Sequence, residues 1–191
     1  MKPIVFFSFF FLVSLSACRR SDLSDRQRDV LYQRFHGKYK ILSSTAELPL
    51  DLNFDGVASA DLKGEILNLI NCNLIIRLPK NKQTNFFDEF WPEQVFMGGY
   101  GDAPASYDPS AMIDYANQGV SRTFRFSTDG KAILLEEDHA GVNQQLYTRP
   151  AAVTILPGDR IEVVKRKRFY TTFGWREVRV VTLYERYTME T

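Results

Sequence analysis

The stretch "GWREVRVVTLYERYTM", Gly174 to Met189, decides the class of fold. Val178, Val180, Thr182 and Tyr184 alternate with polar or differently placed neighbours. A period of two puts that set on one face of a β-strand. The run is long, and β-branched and aromatic residues dominate it, which suits a pleated, half-buried surface.

The same pattern recurs outward from this strand, from Leu74 almost to the end of the chain. Strands are expected at Leu74–Leu78, Phe86–Phe90, Gln94–Met97, Arg122–Ser127 and Ala132–Glu136. Others are expected at Gln144–Thr148, Ala152–Leu156, Ile161–Tyr170 and Trp175–Thr188. In "STDGKA", Asp129-Gly130 separates two alternating runs, a strong hairpin signal. "LPGDR" and "TTFGW" mark two more turns. Many short strands joined by such turns predict a mainly β, antiparallel barrel or sandwich. The chain has 191 residues, 45% of them hydrophobic and 25% charged, enough for one domain with its own core.

Helical signals lie in the first third. Ser24 followed by Gln27 fits a capping box, and Gly37 can end the helix. A first strand at Lys38–Ser43 follows. A second helix is expected from Asp61 to Asn71, with Leu62, Ile66, Leu69 and Ile70 at helical spacing. Met97–Ser121 breaks the β pattern, being rich in Gly, Ala, Ser and Asp and carrying Tyr100, Tyr107 and Tyr115. It reads either as a binding loop or as an insertion with a short helix near Ala111–Ala116 covering one barrel end.

The N-terminus reads as a targeting segment. Lys2 precedes an apolar run from Ile4 to Leu15, too short to span a bilayer and suited to a secretory signal. Leu15-Ser16-Ala17-Cys18 resembles the lipobox of bacterial lipoproteins. That resemblance implies cleavage after residue 17 and acylation of Cys18, which anchors the chain in a lipid bilayer. The alternative is a plain secreted protein. The expected organisation is a signal peptide at 1–17, lipidated Cys18 with a tether and short helix to residue 36, and a β domain from 37 to 191. Losing residues 1–17 removes Lys2 and leaves a neutral mature chain, which gives no general reason to expect nucleic-acid binding. Cys72 is left as a single thiol, expected to be buried.

One segment has the spacing of a metal loop. In "PLDLNFDGVASADLKGEI", Asp51, Asn53 and Asp55 occupy positions 1, 3 and 5, Gly56 position 6, Val57 position 7 and Ser59 position 9. This resembles the first half of an EF-hand or dockerin calcium loop. Three short oxygen-bearing side chains two apart can converge on one cation, and the Val57 carbonyl adds a ligand. Position 12 is Leu62 where such loops carry an acid. Asp61 is the first choice for the closing carboxylate and Glu65 the second. The expected cofactor is one structural calcium ion; the alternative is an Asx-type turn without metal.

Signals for catalysis are sparse. The two histidines are His36 and His139, and no nucleophile elbow, HExxH, phosphate loop or CxxC occurs. Glu136-Glu137-Asp138 beside His139 reads as the solvated end of a hairpin, with a metal or acid–base site as the alternative. Lys165, Arg166, Lys167 and Arg168 alternate between two strand faces and read as a solvated strand end. Contact with anionic headgroups or polysaccharide is the alternative. No enzyme is expected.

"GKY" at Gly37–Tyr39 opening the first strand, with Arg186 in the last, resembles the lipocalin-like lipoproteins of Bacteroidota. Lipocalins place an Arg from the final strand over a Trp, here replaced by Tyr39. "PLDLNFDG" before a helix is similar to a calcium-loop insertion in some of those lipoproteins. The resemblance implies a lipocalin-like β-barrel able to enclose an apolar cavity. Its partners would be a small apolar ligand or an envelope protein. Arg19-Arg20 do not resemble acidic surface-export signals, so the expected location is the outer membrane, facing the periplasm.

Overall fold

The structure, a computed structural model, describes residues 24–80, 84–97, 104, 106–136 and 148–191. It is mainly β and forms a nearly closed antiparallel barrel with few helices. The elements are α1 (Asp25–Phe35), β1 (Gly37–Leu50), β2 (Ser59–Asp61), α2 (Leu62–Glu65), β3 (Asn73–Arg77) and β4 (Asn85–Phe96). They continue with β5 (Ile113–Phe126), β6 (Ile133–Leu135), β7 (Ala152–Leu156), β8 (Arg160–Thr171) and β9 (Gly174–Thr188).

The sheet runs β6-β5-β4-β3-β1-β9-β8-β7, with β2 added to β1. Among the described residues its ends meet through a bridge from Ala132 to Thr154, beside a 2.8 Å bond from Ile155 N–H to Lys131 O. That seam bends the sheet into a barrel and excludes the open sandwich. The core includes Tyr39, Leu74, Ile76, Phe87, Ile161 and Tyr184, all fully buried.

α1 starts at the expected capping box: Gln27 N–H donates to Ser24 Oγ at 3.3 Å, and Ser24 N–H donates to Gln27 Oε1 at 3.0 Å. It ends at His36, and Gly37 opens β1 with φ 137°. A Cβ on Gly37 would lie 2.1 Å from Thr188 O, so only glycine lets β9 approach this closely. Tyr39 pairs with Arg186 in the β1–β9 ladder.

Four expectations need correction. β1 extends beyond Ser43 to Leu50, because β9 pairs with it as far as Ala46 and β2 pairs beyond. The runs Phe86–Phe90 and Gln94–Met97 fuse into β4. Pro92 is tolerated inside it because β3 pairs only as far as Glu89, so that edge needs no N–H there. The segment 113–121, expected as loop or helix, is the first part of β5. It pairs with β4 from Phe96↔Ile113 to Asn85↔Phe124, and a Cβ on Gly119 would lie 2.7 Å from the Phe90 ring. Finally, the helix expected over Asp61–Asn71 breaks up. α2 has four residues, Asn68 adopts φ 62°, and a 3-10 turn covers Leu69–Asn71. Leu62, Ile66 and Leu69 are nonetheless buried, while Ile70 faces out.

Cys72 is buried and free, its thiol pushed up to about 11 by burial. The strand expected at Gln144–Thr148 lies, except for Thr148, outside the described residues. Among the described residues no helix is long and apolar enough to cross a membrane.

Candidate functional site

Two places concentrate polar chemistry: the loop between β1 and β2, and the barrel lumen.

The loop is organised by its own side chains. Gly56 N–H donates to Asp51 Oδ2 at 3.1 Å, Asp55 N–H to Asn53 Oδ1 at 3.1 Å, and Val57 N–H to Asp55 Oδ1 at 2.8 Å. Each short acceptor thus spends one oxygen on backbone. Gly56 and Phe54 take φ of 87° and 60°, which turn the chain sharply. Asp51 Oδ1 is buried with no hydrogen-bond donor, the orphaned oxygen a cation would satisfy. The two candidate closing acids differ. Asp61 is exposed and caps α2 by accepting from Lys63 N–H at 3.1 Å, and Ser59 Oγ is engaged with Asp61's backbone. Glu65 is buried, and its Oε2 accepts from Leu52 N–H at 2.9 Å, back inside the loop. Among the described residues no three His, Cys, Asp or Glu side chains gather closely enough to hold a metal by themselves. A cation here would therefore depend on Asn53 and on backbone oxygen as well.

This loop closes one end of the barrel. Tyr115 donates its hydroxyl to Leu52 O at 3.1 Å, and Phe54 lies 6.5 Å from the Tyr170 ring. Gln94 ties β4 to β8 with two hydrogen bonds to the Tyr170 backbone, at 3.0 and 2.7 Å. Asp108 N–H donates to the Tyr170 hydroxyl, which donates to Ser106 O, and Trp175 Nε1 donates to Pro104 O at 2.9 Å. Tyr107 therefore belongs to a docked segment over that end.

The lumen holds charges that the sequence reading placed outside. Lys165 and Lys167 of β8 are 6% and 2% exposed, which corrects the expectation of a solvated strand end. Arg166 and Arg168, on the other face, do remain exposed. Lys165 Nζ meets Glu89 Oε2 at 2.6 Å, and Lys167 pairs with Glu93. Both acids come from β4, which three strands separate from β8 in the sheet, so the pairs cross the interior. Trp91 lies between them, its ring centroid 5.4 Å and 5.1 Å from the two ammonium groups. Its indole N–H is buried and unpartnered. Tyr184 donates to Glu89 Oε1 at 3.3 Å, and its hydroxyl proton is held well above the ordinary range by burial and then by that carboxylate. Burial lowers Lys167 to about 8, with Lys165 adding to the shift and Glu93 opposing it. A cleft lined by Glu89, Trp91, Glu93, Gln118, Arg122 and Lys165 offers about 10 Å³, room for one water molecule.

The alternation in "VVKRKRFY" was visible in sequence; that its lysine face is the inner one was not. The remaining candidates are dispersed. Glu136 follows β6 and accepts from Thr123 Oγ1 at 2.6 Å. Cys18, Glu137, Asp138 and His139 lie outside the described residues. Compared with known proteins, the chain matches no family model and no curated relative, so a functional reading rests on its own geometry.

Proposed function

We propose that the protein is a lipid-anchored envelope lipoprotein whose barrel is a solid module acting through surface contacts, in structure or assembly. The observation that carries this reading is the pair of ion bridges across the lumen, Lys165–Glu89 and Lys167–Glu93. A barrel interior filled by paired charges and a Trp has given its volume to side chains, as small barrels do. An apolar ligand of the kind lipocalins carry would have to displace those pairs and leave charges buried alone, which is costly. The water-sized cleft beside Trp91 is too small for such a ligand.

The anchor in this reading is acylated Cys18, supported by the Leu15–Cys18 lipobox, and the location is the outer membrane facing the periplasm. A structural calcium ion belongs to the same proposal. Asp51, Asn53, Asp55, the Val57 carbonyl and Glu65 would hold it. Glu65 replaces Asp61 as the closing carboxylate because it is buried and already reaches the loop backbone, while Asp61 is engaged as a helix cap. The ion would supply rigidity, tying β1 to α2 beside the closed end of the barrel.

Metabolic labelling with a palmitate analogue tests the anchor: label on the wild type and none on Cys18→Ala is expected. Native mass spectrometry of the extracted protein tests the solid barrel. Retention of an apolar small molecule at unit stoichiometry would restore the carrier reading. A photo-crosslinker at half-exposed Tyr107 should trap one dominant envelope protein in intact cells. A smear following abundance would remove the assembly role.

A further inference from the structure

We infer that His36 is an acid-sensitive latch: as a neutral imidazole it pins α1 across one mouth of the barrel, and its protonation releases the helix. His36 is the hinge residue between α1 and β1. Its Nδ1 accepts a 3.1 Å hydrogen bond from the backbone N–H of Leu78, just beyond β3. Nδ1 therefore carries a lone pair and the ring proton sits on Nε2. Tyr32, one helical turn back, stacks on the imidazole with centroids 4.3 Å apart. The helix lays Phe35 against Phe126 at 5.1 Å, with Leu31 and Tyr32 partly buried on the core. His36 is thus the titratable link between the lid and the end of β3, beside the Arg34–Asp159 and Arg186–Gln33 contacts that also hold α1.

Protonating Nδ1 turns that bond into a clash of two donors. Leu78 is 5% exposed, so water cannot readily replace the lost acceptor. The charged groups around the ring add to the effect. Arg186 of β9 and Lys80, which follows β3, both face it, and burial comes before either in holding the imidazole below its ordinary value. Asp159, at the turn before β8, could offset them but is engaged by Arg34 at 2.7 Å. Tyr39, next to the site in β1, keeps its proton and adds no charge. The helix C-terminus would ordinarily favour a cation. Here Arg186 already donates to Gln33 O and His36 O, at 2.7 and 3.1 Å, so that favour is taken.

The sign follows. The latched state has the lower affinity for the proton, so the latch is strong at neutral pH and weakens as pH falls below the ordinary histidine value of about 6.5. Release would expose Phe35 and free the segment that leads to the N-terminus. The inference does not depend on the anchor, the calcium ion or a partner.

Amide hydrogen exchange on the whole chain in mild detergent tests it, read at Leu78 and at residues 32–37. Between about pH 7 and about pH 5, after correction for intrinsic exchange, wild-type protection at these amides should fall by about tenfold or more. His36→Asn offers an oxygen near the position of Nδ1 and does not titrate, so its protection should stay high at both pH values. Equal wild-type protection at both pH values would overturn the latch. So would a loss in His36→Asn as large as in the wild type, which would place the titration elsewhere.

Discussion

Lys165 and Glu89 meet at 2.6 Å inside the barrel, from strands that are not neighbours in the sheet. Their side chains are 8% and 2% exposed, so each neutralises a charge the other could not bury alone. Removing one partner leaves an uncompensated buried charge. Lys165→Met should therefore cost about 3–5 kcal/mol, read as a lower urea midpoint at unchanged slope. Adding Glu89→Leu should recover much of the loss. A double variant no better than the single would mean the bridge also organises the lumen geometrically, through Tyr184.

Lys167 predicts a pH dependence. Folding lowers it from 10.5 to about 8, so between those values the unfolded chain binds more protons. Stability must then rise with pH across that window, by up to about 1.4 kcal/mol per unit for one proton. Below the lower value the group is charged in both states and its contribution is level. Buried Tyr39 and Tyr184, whose hydroxyls are raised, work the other way once the unfolded chain begins to lose phenolic protons near pH 10. Comparing wild type with Lys167→Met cancels them. The difference in unfolding free energy should grow in favour of the wild type between about pH 8 and pH 10. A level difference would show that Lys167 titrates normally.

For the loop, thermal unfolding in millimolar calcium and in excess EGTA is the discriminating measurement. Saturation at about 100 times the dissociation constant adds about 2.7 kcal/mol. Wild type should melt lower in EGTA, and Asp55→Ala should melt low in both. Glu65→Gln keeps an acceptor for Leu52 N–H yet loses the charge, so it too should lose the calcium response. Asp61→Ala should keep that response while paying about 0.5–2 kcal/mol for the lost helix cap. Coincident wild-type melts would leave the loop as a metal-free Asx turn.

Gly37→Ala should be among the most damaging small substitutions. At φ 137° a side chain is strained, and the new Cβ would sit 2.1 Å from Thr188 O and 3.1 Å from Arg186 Cδ. Backbone cannot yield as a flexible side chain does, so a loss of about 3 kcal/mol or more is expected by chemical denaturation. A loss below about 1 kcal/mol would mean β9 frays freely beyond Arg186.

Much of the barrel was legible because its signals are local. The capping box at Ser24 and Gln27, the Asp129-Gly130 turn and the alternation of Val178 to Tyr184 each depend on residues a few positions apart. Pairing was less legible. Residues 113–121 dilute Ile113, Tyr115 and Val120 with Asp114, Asn117, Gly119 and Ser121, so their propensity spoke for a loop. They extend because a twelve-residue β4 offers them a complete ladder, and Gly119 fits under Phe90. The Asp61–Asn71 helix failed for the opposite reason: burial of Leu62, Ile66 and Leu69 is met by short turns that also let Glu65 reach Leu52.

The strand class, the helix start, the turn positions and the spacing of the Asp51–Asp55 oxygens could be read directly from the chain, because each is set by chemistry within a few residues. Tertiary structure alone decided which face of β8 is the inside. Alternation separates Lys165 and Lys167 from Arg166 and Arg168 but carries no sign for in or out. Only closure brought Glu89 and Glu93 of β4 across the lumen and let two lysines be buried there. The pairing of neighbouring β1 and β3, Gly37 with Ile76, instead set His36 against Leu78, forty-two positions away.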